Sequence, residues 1–302
     1  MWLNKIVSAS AASAIAGIVP AMSSAQTVDY PIVLSFEGVM GTGNQSEVYS
    51  AEVKLGNNSK IEDDTAFVGS VGLSRAINED WDWNLSVSQL HYAENAVSIV
   101  DDSDVSVSMT NNASRSEANF TLGRDVALGS AKGRLGLGLA YAKASAVKGL
   151  DLNVGDAISV QSDLQTQFQG IGPRASFDLQ SAPITHSGGL SVIGGIEMNL
   201  LAGKYEQSKG LDAYVFEDLP VDFADLPDDL VAVAQSENGR LATAGIKFGV
   251  QYDANEKTSF RAGVRRDFTR MDRVALDGEF ALQTVSVDDQ RTSFFVGMNV
   301  SF

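Results

Sequence analysis

The chain has 302 residues, of which 22 are lysine or arginine and 38 are aspartate or glutamate, so its net charge at pH 7 is −16. A chain this acidic lacks the basic face that nucleic-acid binding requires, and we expect no nucleic-acid partner. The absence of cysteine excludes disulfides, thiolate metal sites and a cysteine nucleophile.

The first 25 residues have the pattern of a secretory signal peptide. Lys5 gives a short N-terminal region one positive charge, residues 6–19 are apolar or small, and small residues precede Gln26. The apolar run is too short to cross about 30 Å of hydrocarbon as a helix. We therefore expect residues 1–25 to be removed on export and residues 26–302 to form the mature domain.

Large apolar residues alternate with small or polar ones through the rest of the chain. The final segment shows this most clearly, with Phe294, Val296, Met298, Val300 and Phe302 on one parity. The same alternation recurs in segments near 32–37, 81–88, 135–142, 190–200, 244–252 and 260–265. Because successive strand residues face opposite sides, each segment has one lipid-like face and one small or polar face. This pattern is typical of a transmembrane barrel, whereas the outer face of a soluble sandwich is richer in charge and poorer in glycine.

Short and long connections alternate along the chain, as in outer-membrane barrels. The expected strands lie near 30–40, 64–77, 81–92, 116–128, 133–146, 163–179, 188–205, 239–253, 257–269 and 290–302. Short periplasmic turns are expected at 78–80, 129–132, 181–187 and 253–257, and long outer loops at 93–115, 146–162, 205–238 and 270–288. The sequence predicts an all-β fold, a closed antiparallel transmembrane β-barrel of about ten strands with both termini on the periplasmic side. Residues 41–63 and 272–288 could add strands, so twelve is the alternative.

Charged residues on the polar parity are expected to face the barrel interior. They are Glu37, Arg134, Arg174, Asp178, Glu197, Lys247, Arg261, Arg265 and Asp267. Placed toward lipid, each would cost about 2–4 kcal/mol near the midplane. Inside a narrow barrel they could close on one another as a salt-bridged plug, or they could line a wet channel and set its ion preference.

One hairpin carries a recognisable set of residues. Residues 168–178 read FQGIGPRASFD, and the next strand ends in Leu-Leu-Ala-Gly at 200–203. Pro173 cannot donate to a strand ladder, so it predicts a bulge or an irregular position. Arg174 faces inward and has natural partners in Glu197 and Asn199 of the following strand.

This hairpin resembles the F-x-G-x-G-P-R-x-x-x-D … LL-x-G signature of the Legionella-type major outer membrane protein family of pore-forming barrels. The strand pair around Trp81-Asp82-Trp83 resembles that family's second hairpin. The chain departs from the signature at Ala175-Ser176, where glycine is more usual. The resemblance implies an outer-membrane barrel with porin-like activity and supplies no catalytic residues.

Enzymatic and metal chemistry find little support in the sequence. Of the two histidines, His91 falls on the lipid-facing parity and His186 in a turn. The alternative of a protease at the outer rim, similar to the omptins, would depend on His91 with Glu94. Acidic stretches at 101–104 and 217–229 lack a complete calcium-loop pattern, and a short helix is expected after Pro227. We expect no enzyme activity, no metal and no cofactor.

The sequence as a whole predicts a porin-like channel for passive diffusion of small hydrophilic solutes across the outer membrane of a Gram-negative bacterium. The alternative is a non-conducting structural or adhesive barrel that displays acidic surface loops, which a continuous ion-pair plug would favour. Expected partners are outer-membrane lipid and lipopolysaccharide, the barrel-assembly machinery through the strand that ends at Phe302, and a second copy of the chain in a homo-oligomer.

Overall fold

The computed structural model describes residues 30–43, 64–92, 95–102, 105–154, 158–184, 189–215, 232–276 and 282–302. Within these ranges all regular structure is strand, and no helix is long and apolar enough to cross a membrane. Several expectations fall outside the described residues: the signal peptide at 1–25, most of segment 41–63, Glu94, His186 and the helix after Pro227.

The described ranges contain eleven strands. They are β1 (Ile32–Gly43), β2 (Asp64–Ala76), β3 (Trp81–Tyr92), β4 (Asn95–Asp102), β5 (Val105–Leu128), β6 (Ala131–Val154), β7 (Ile158–Gln180), β8 (Gly189–Val215), β9 (Ala232–Asn255), β10 (Thr258–Leu276) and β11 (Leu282–Ser301).

The sheet closes on itself as a ten-position ring. β1 pairs antiparallel with β2 and also with β11, in a register that runs from Val33 opposite Ser301 to Gly43 opposite Arg291. β3 and β4 both pair with β5, one along each part of it, so together they occupy a single position in the ring. All pairings in the described part are antiparallel between neighbours. The expectation of a closed antiparallel barrel with about ten strands is confirmed.

The large apolar side chains lie on the outside of this ring. Phe294 is 69% exposed, Phe248 61% and Leu137 60%, as expected for residues that face acyl chains and not a second sheet. Their neighbours in sequence, such as Ser293 and Lys247, point inward, because strand residues alternate between faces. The exterior is therefore the apolar surface and the interior the polar one.

Tight turns join the strands at one end of the barrel. Between β2 and β3 the side-chain oxygen of Asn78 accepts hydrogen bonds from the backbone N–H groups of Asp80 and Trp81, at 3.0 and 2.9 Å. Between β5 and β6 Gly129 has a φ of 66°, a left-handed value that glycine adopts without strain. The short turns expected at 78–80, 129–132 and 253–257 are confirmed, and this end is the periplasmic one in outer-membrane barrels.

The long outer loops expected from the sequence are largely strand, so that prediction was wrong in extent. β5, β6 and β8 contain 24, 24 and 27 residues, although about 9–11 tilted residues suffice to cross a membrane. β10 and β11 likewise stay paired as far as Leu276 opposite Leu282, and no separate hairpin forms within 272–276 or 282–288. The physical reason is that ladder hydrogen bonding continues beyond the apolar band, where both faces of a hairpin can be polar.

Two outward-facing arginines lie at the periplasmic end and use nearby groups. The Arg124 guanidinium sits over the Trp81 ring, 5.7 Å from its centroid. Arg75 donates from Nε to the backbone carbonyl of Tyr30 at 3.1 Å. Both sites fit the interface, where long cationic side chains can keep their charge in water while their stems contact apolar surface.

Candidate functional site

The barrel interior collects the charged residues that the sequence analysis selected. Eight of the nine line one cavity of about 480 Å³ in the part of the lumen toward the short turns, and the ninth, Asp267, is bonded to a cavity-lining arginine. Those eight are Glu37, Arg134, Arg174, Asp178, Glu197, Lys247, Arg261 and Arg265. The structure thus brings all nine to one compartment, where their charges interact directly.

Glu197 of β8 lies at the centre of the first charged group. Arg174 of β7 donates from Nη2 to Glu197 Oε2 at 2.5 Å and from Nη1 to Asn199 Oδ1 at 3.0 Å, which are the two partners expected from the sequence. Arg265 of β10 bonds the other carboxylate oxygen of Glu197. One carboxylate therefore holds two guanidinium groups from opposite sides.

Asp267 extends this group to β11, the strand that closes the barrel against β1. Arg265 donates from Nε to Asp267 Oδ1 at 2.6 Å, and Arg291 of β11 donates from Nη2 to Asp267 Oδ2, also at 2.6 Å. The Arg291 side chain is buried, and its Nε and Nη1 atoms have no hydrogen-bond partner in the described structure. The first group thus forms a continuous chain of ion pairs from β7 to β11.

A second group of charges continues around the ring from the first. Arg134 of β6 bonds Asp82 of β3, with Nε 2.5 Å from Oδ2, and lies 4.0 Å from Asp178 of β7. Lys247 of β9 pairs with the other oxygen of Asp178 at 2.7 Å. Asp178 therefore joins cations from both sides and links strands from β3 to β9.

Two further ion pairs complete the interior. Arg261 of β10 lies 2.9 Å from Glu37 of β1, and Arg115 lies 3.1 Å from Glu117, two residues further along β5. Each of the seven interior cations named so far thus has a carboxylate neighbour, and six carboxylates are shared among them.

Glycines make room for the ion pairs that reach across a strand. In four pairs the partners sit on strands that are not neighbours, and the intervening strand carries an inward-facing glycine beneath the bond. A Cβ placed at that glycine would lie against the ion-pairing side chains themselves. The four are Gly123 under Arg134–Asp82, Gly195 under Lys247–Asp178, Gly245 under Arg265–Glu197 and Gly297 under Arg261–Glu37.

An apolar layer fills the lumen on the outer side of these charges. Its buried residues form one contact cluster drawn from β2, β3 and β5 to β10. The large members are Leu90, Tyr92, Phe168, Leu201, Tyr205, Leu241 and Met271, each between 0 and 3% exposed. On β6 they meet a stripe of inward-facing alanines at 140, 142, 144 and 146, each at most 2% exposed. Water therefore does not reach these side chains in this conformation. We call this cluster the apolar layer.

Sequence reasoning missed several interior residues. Asp82, Arg115, Glu117 and Arg291 all take part in interior ion pairs, and each shares the parity of small or polar neighbours that could have identified it. The aromatic members of the apolar layer could not be identified in this way, because an inward-facing tyrosine or phenylalanine cannot be distinguished in the sequence from a lipid-facing one. Their inward direction follows only from the register of the paired strands.

Two other expectations can be placed. His91 is exposed on the outward face of β3, opposite Phe67 and Ser114, so it does not point toward the interior carboxylates. The ladder between β7 and β8 is interrupted at Gly172 and Pro173, which confirms the irregular position expected there. No cluster of three or more possible metal ligands occurs among the described residues.

Comparison with solved structures finds barrel proteins of distant sequence. The outer membrane protease OmpT from Escherichia coli aligns at 8% identity and a TM-score of 0.43, covering 92% of this chain and all of that one. The translocator domain of autotransporter NalP from Neisseria meningitidis aligns at 11% identity and 0.38, covering 99% and 96%. An outer membrane channel from Pseudomonas putida F1 aligns at 11% and 0.33, covering 94% and 100%. At these values the likenesses carry no argument about activity.

Sequence families give a more specific result. None of the curated proteins compared with the chain matches it. The family described as Legionella pneumophila major outer membrane protein precursor matches residues 37–264, which include the hairpin around Pro173. This match covers most of the barrel, from β1 to β10. The chain belongs to this major outer membrane protein family and is a β-barrel of the Gram-negative outer membrane.

Proposed function

We propose that this protein is an outer-membrane barrel without an open channel, which anchors tall β-hairpins on the outer side of the membrane. The observation that carries this proposal is the apolar layer. Its side chains come from most of the ring and are shielded from water, so a hydrated solute has no path past them in this conformation.

The interior ion pairs support the same reading. A plug of matched charges stabilises a fixed lumen, because opening it would leave charged groups without partners in a confined space. The chain of bonds from Arg174 to Arg291 joins β7, β8, β10 and β11 and passes over β9. This arrangement favours a structural barrel over a wide pore.

The long strands supply the surface that such a barrel would display. Of the 27 residues in β8, about 9–11 are needed to cross the membrane, so the strand extends well beyond the outer interface. β6 and β7 stay paired to Val154 opposite Ile158 and so form a tall outer hairpin. Their neighbours β5 and β8 remain paired with them to Val105 opposite Val154 and to Val215 opposite Ile158. We infer that this wall and the acidic segments it carries are the parts that meet other surfaces.

Conductance in planar lipid bilayers tests the proposal. The refolded mature chain should give no discrete current steps at 1 M KCl, a salt concentration at which porins of known size serve as positive controls. Stepwise, reproducible openings by the unmodified protein would overturn the proposal and support the second candidate.

The second candidate is a porin-like channel for passive diffusion of small hydrophilic solutes. It is favoured by the cavity of about 480 Å³ below the apolar layer, whose lining of serine, asparagine, glutamine and charged residues suits water and ions. This reading requires the layer to move aside. It therefore predicts small, intermittent currents and no permanent pore.

Three further proposals, on catalysis, assembly and association, rest on fewer observations. We infer that the protein does no bond chemistry, since His91 faces away from the interior carboxylates and lies on the exposed outer face. We also propose, from the sequence, that the barrel-assembly machinery engages the strand that ends at Phe302 and that copies of the barrel can associate.

A further inference from the structure

The outer edge of the apolar band is chemically uneven around the barrel. On β11, β1, β2, β3 and β5 the first outward residue beyond the band is neutral. These residues are Thr292, Thr42, Thr65, Gln89 and Ser116. On β6, β8 and β9 the corresponding residue is a cation, namely Lys143, Lys204 and Arg240, and on β7 it is the neutral Gln169. On β10 the cation Arg266 lies on the same face, with Phe268 one step further out. The half of the ring from β6 to β10 therefore carries all of these cations, with the neutral Gln169 among them.

This basic half stands out because the rest of the molecule is acidic. The chain has a net charge of −16, and the interior cations are each matched by a carboxylate. Among described side chains, Lys143, Lys204 and Arg240 take part in no ion pair within 4.0 Å, and Asp272, opposite Arg240 on β10, is paired with Arg270. Three cations on β6, β8 and β9 at the membrane surface offer a site for an anion.

A groove of about 500 Å³ lies on the outer face at the same place. Its floor is Ile171 of β7 and Ala202 of β8, which are directly paired, with Tyr141 on one side. Lys204 lines the groove, whereas Arg240, which is paired with Ala202, and Lys143 flank it. The groove exists because Ala202 is a small residue among larger outward-facing neighbours, so that backbone at Gly170 and Gly203 also forms part of its lining. Apolar floor residues at this depth suit an acyl chain.

The next row toward the outside supplies the polar end of the groove. Lys143, Gln169 and Lys204 are paired across β6, β7 and β8, directly above the floor residues. Strands lie about 4.8 Å apart, so the two lysines bracket Gln169 at a separation of about 10 Å. Two cations and an amide can thus surround a phosphate that sits above an acyl chain in the groove.

From these observations we propose that the groove on β6–β9 is a binding site for lipopolysaccharide, with one acyl chain on Ile171 and Ala202 and a lipid-anchor phosphate between Lys143, Lys204 and Arg240. This lipid is the one whose phosphates lie at the outer edge of the apolar band, while phospholipid headgroups lie at the other edge. The site lies outside the lumen, so it does not depend on whether the barrel conducts.

One residue that lines the groove is acidic, and removing its charge should strengthen the binding of an anion. Glu206, one row further out on β8, is exposed and belongs to the same groove. Its carboxylate repels a phosphate bound beside Lys204, so the Glu206→Gln variant should bind the lipid more tightly. A structural role for this exposed residue would give no such gain.

The experiment measures binding of purified bisphosphorylated lipid A to the refolded mature barrel in detergent with EDTA, by native mass spectrometry. The variant K143Q/K204Q/R240Q should lose about tenfold or more in affinity. The control R124Q/K132Q/K257Q changes the net charge equally at the short-turn end and should bind like the unmodified protein. Equal losses in the two triple variants, or undiminished binding by the first, would overturn the proposal.

The apolar part of the site is tested by its own variant and a matched control variant. Ala202→Phe fills the groove without changing charge and should weaken lipid A binding several-fold, whereas Ala262→Phe, on the lipid-facing side of β10, should not. Phosphatidylglycerol serves as the competing anionic lipid. If it binds as tightly as lipid A, the site is a general anionic rim and the specific proposal is wrong. Heat-modifiable migration on gels confirms folding of every variant, and should A202F fail to fold, the charge variants still decide the question.

Discussion

Arg265 of β10 and Glu197 of β8 form an ion pair across the intervening strand β9, directly over Gly245. A Cβ at position 245 would lie 3.0 Å from Arg265 Nη2 and 3.2 Å from Glu197 Cγ. A side chain at this position of the intervening strand would therefore crowd the pair, and glycine leaves it room. The same device recurs under three other pairs in the lumen, so the glycines of the inner face are part of the charge network.

Replacing this glycine gives a first prediction. Gly245→Leu places a branched side chain among Arg265, Asp267 and Glu197, and it should lower the free energy of unfolding by about 1–3 kcal/mol through overpacking and loss of the pair. Urea unfolding of the micelle-bound barrel, followed by tryptophan fluorescence, measures this. Gly69→Leu is the control, because a Cβ at Gly69 meets nothing within 4 Å. Equal destabilisation by both variants would show that strand glycine itself, and not the space under the ion pair, matters.

Neutralising the central carboxylate is the second prediction. Glu197→Gln leaves both Arg174 and Arg265 without their shared anion, so the free energy of unfolding should fall by about 1–3 kcal/mol. Asp288→Asn removes the exposed partner of Arg270 and should change it by less than about 0.5 kcal/mol. The same unfolding assay applies, and a Glu197→Gln barrel as stable as the Asp288→Asn barrel would contradict the role given to the interior network.

Opening the apolar layer is the third prediction. Removing two of its aromatic rings, in the variant Phe168→Ala with Tyr205→Ala, should create a water path above the charged cavity and give measurable conductance in planar bilayers. Phe248→Ala removes an equally large ring from the lipid-facing surface and should leave the bilayer current at the level of the unmodified protein. If the double variant stays silent while folding normally, the block lies elsewhere in the lumen.

The absence of cysteine allows a fourth prediction about the two faces of the barrel. Single cysteines at Ser70 and Ser88, which line the interior cavity, should react with a water-soluble maleimide in proteoliposomes made permeable from the periplasmic side. Cysteines at Ile246 and Phe248 should resist it, because those positions face acyl chains. Labelling yield by mass spectrometry measures this. Reaction at all four positions alike would contradict the assignment of faces.

Export provides the fifth prediction. The mature protein should begin at Gln26, since the small residues before it meet the requirements of signal peptidase. Intact mass of protein purified from outer membranes should lack residues 1–25. A full-length mass would show that the segment is retained, and a mass shifted by a few residues would relocate the cut.

Much of the fold could be predicted from alternation alone. A period of two fixes which side chains share a face, so the lipid-facing band and the nine interior charges follow once a barrel is assumed. The partnership of Arg174 with Glu197 and Asn199 also followed, because these residues lie on consecutive strands joined by a short connection. Local pattern was sufficient wherever the partner was a sequence neighbour in the sheet.

The remaining features depend on contacts that no local pattern encodes. Arg134 reaches Asp82 over an intervening strand, and Phe168 meets side chains from across the lumen, so both depend on the register of several strands at once. Strand length was underestimated for a different reason. Beyond the membrane the lipid-facing side need no longer be apolar, so the ladder continues where the alternation of hydrophobicity fades.

The contact between β1 and β11 has a consequence for biogenesis. Val33 lies opposite Ser301, so the partners that complete the cylinder stand almost at opposite ends of the mature polypeptide. The other neighbouring strands are close in sequence and can pair as soon as both have emerged. The β1–β11 pairing can form only after β11, the last strand, has reached the assembly site. Until then two strand edges remain open, and a chaperone that covers them, or a template that supplies a temporary edge, would be required to prevent misassembly.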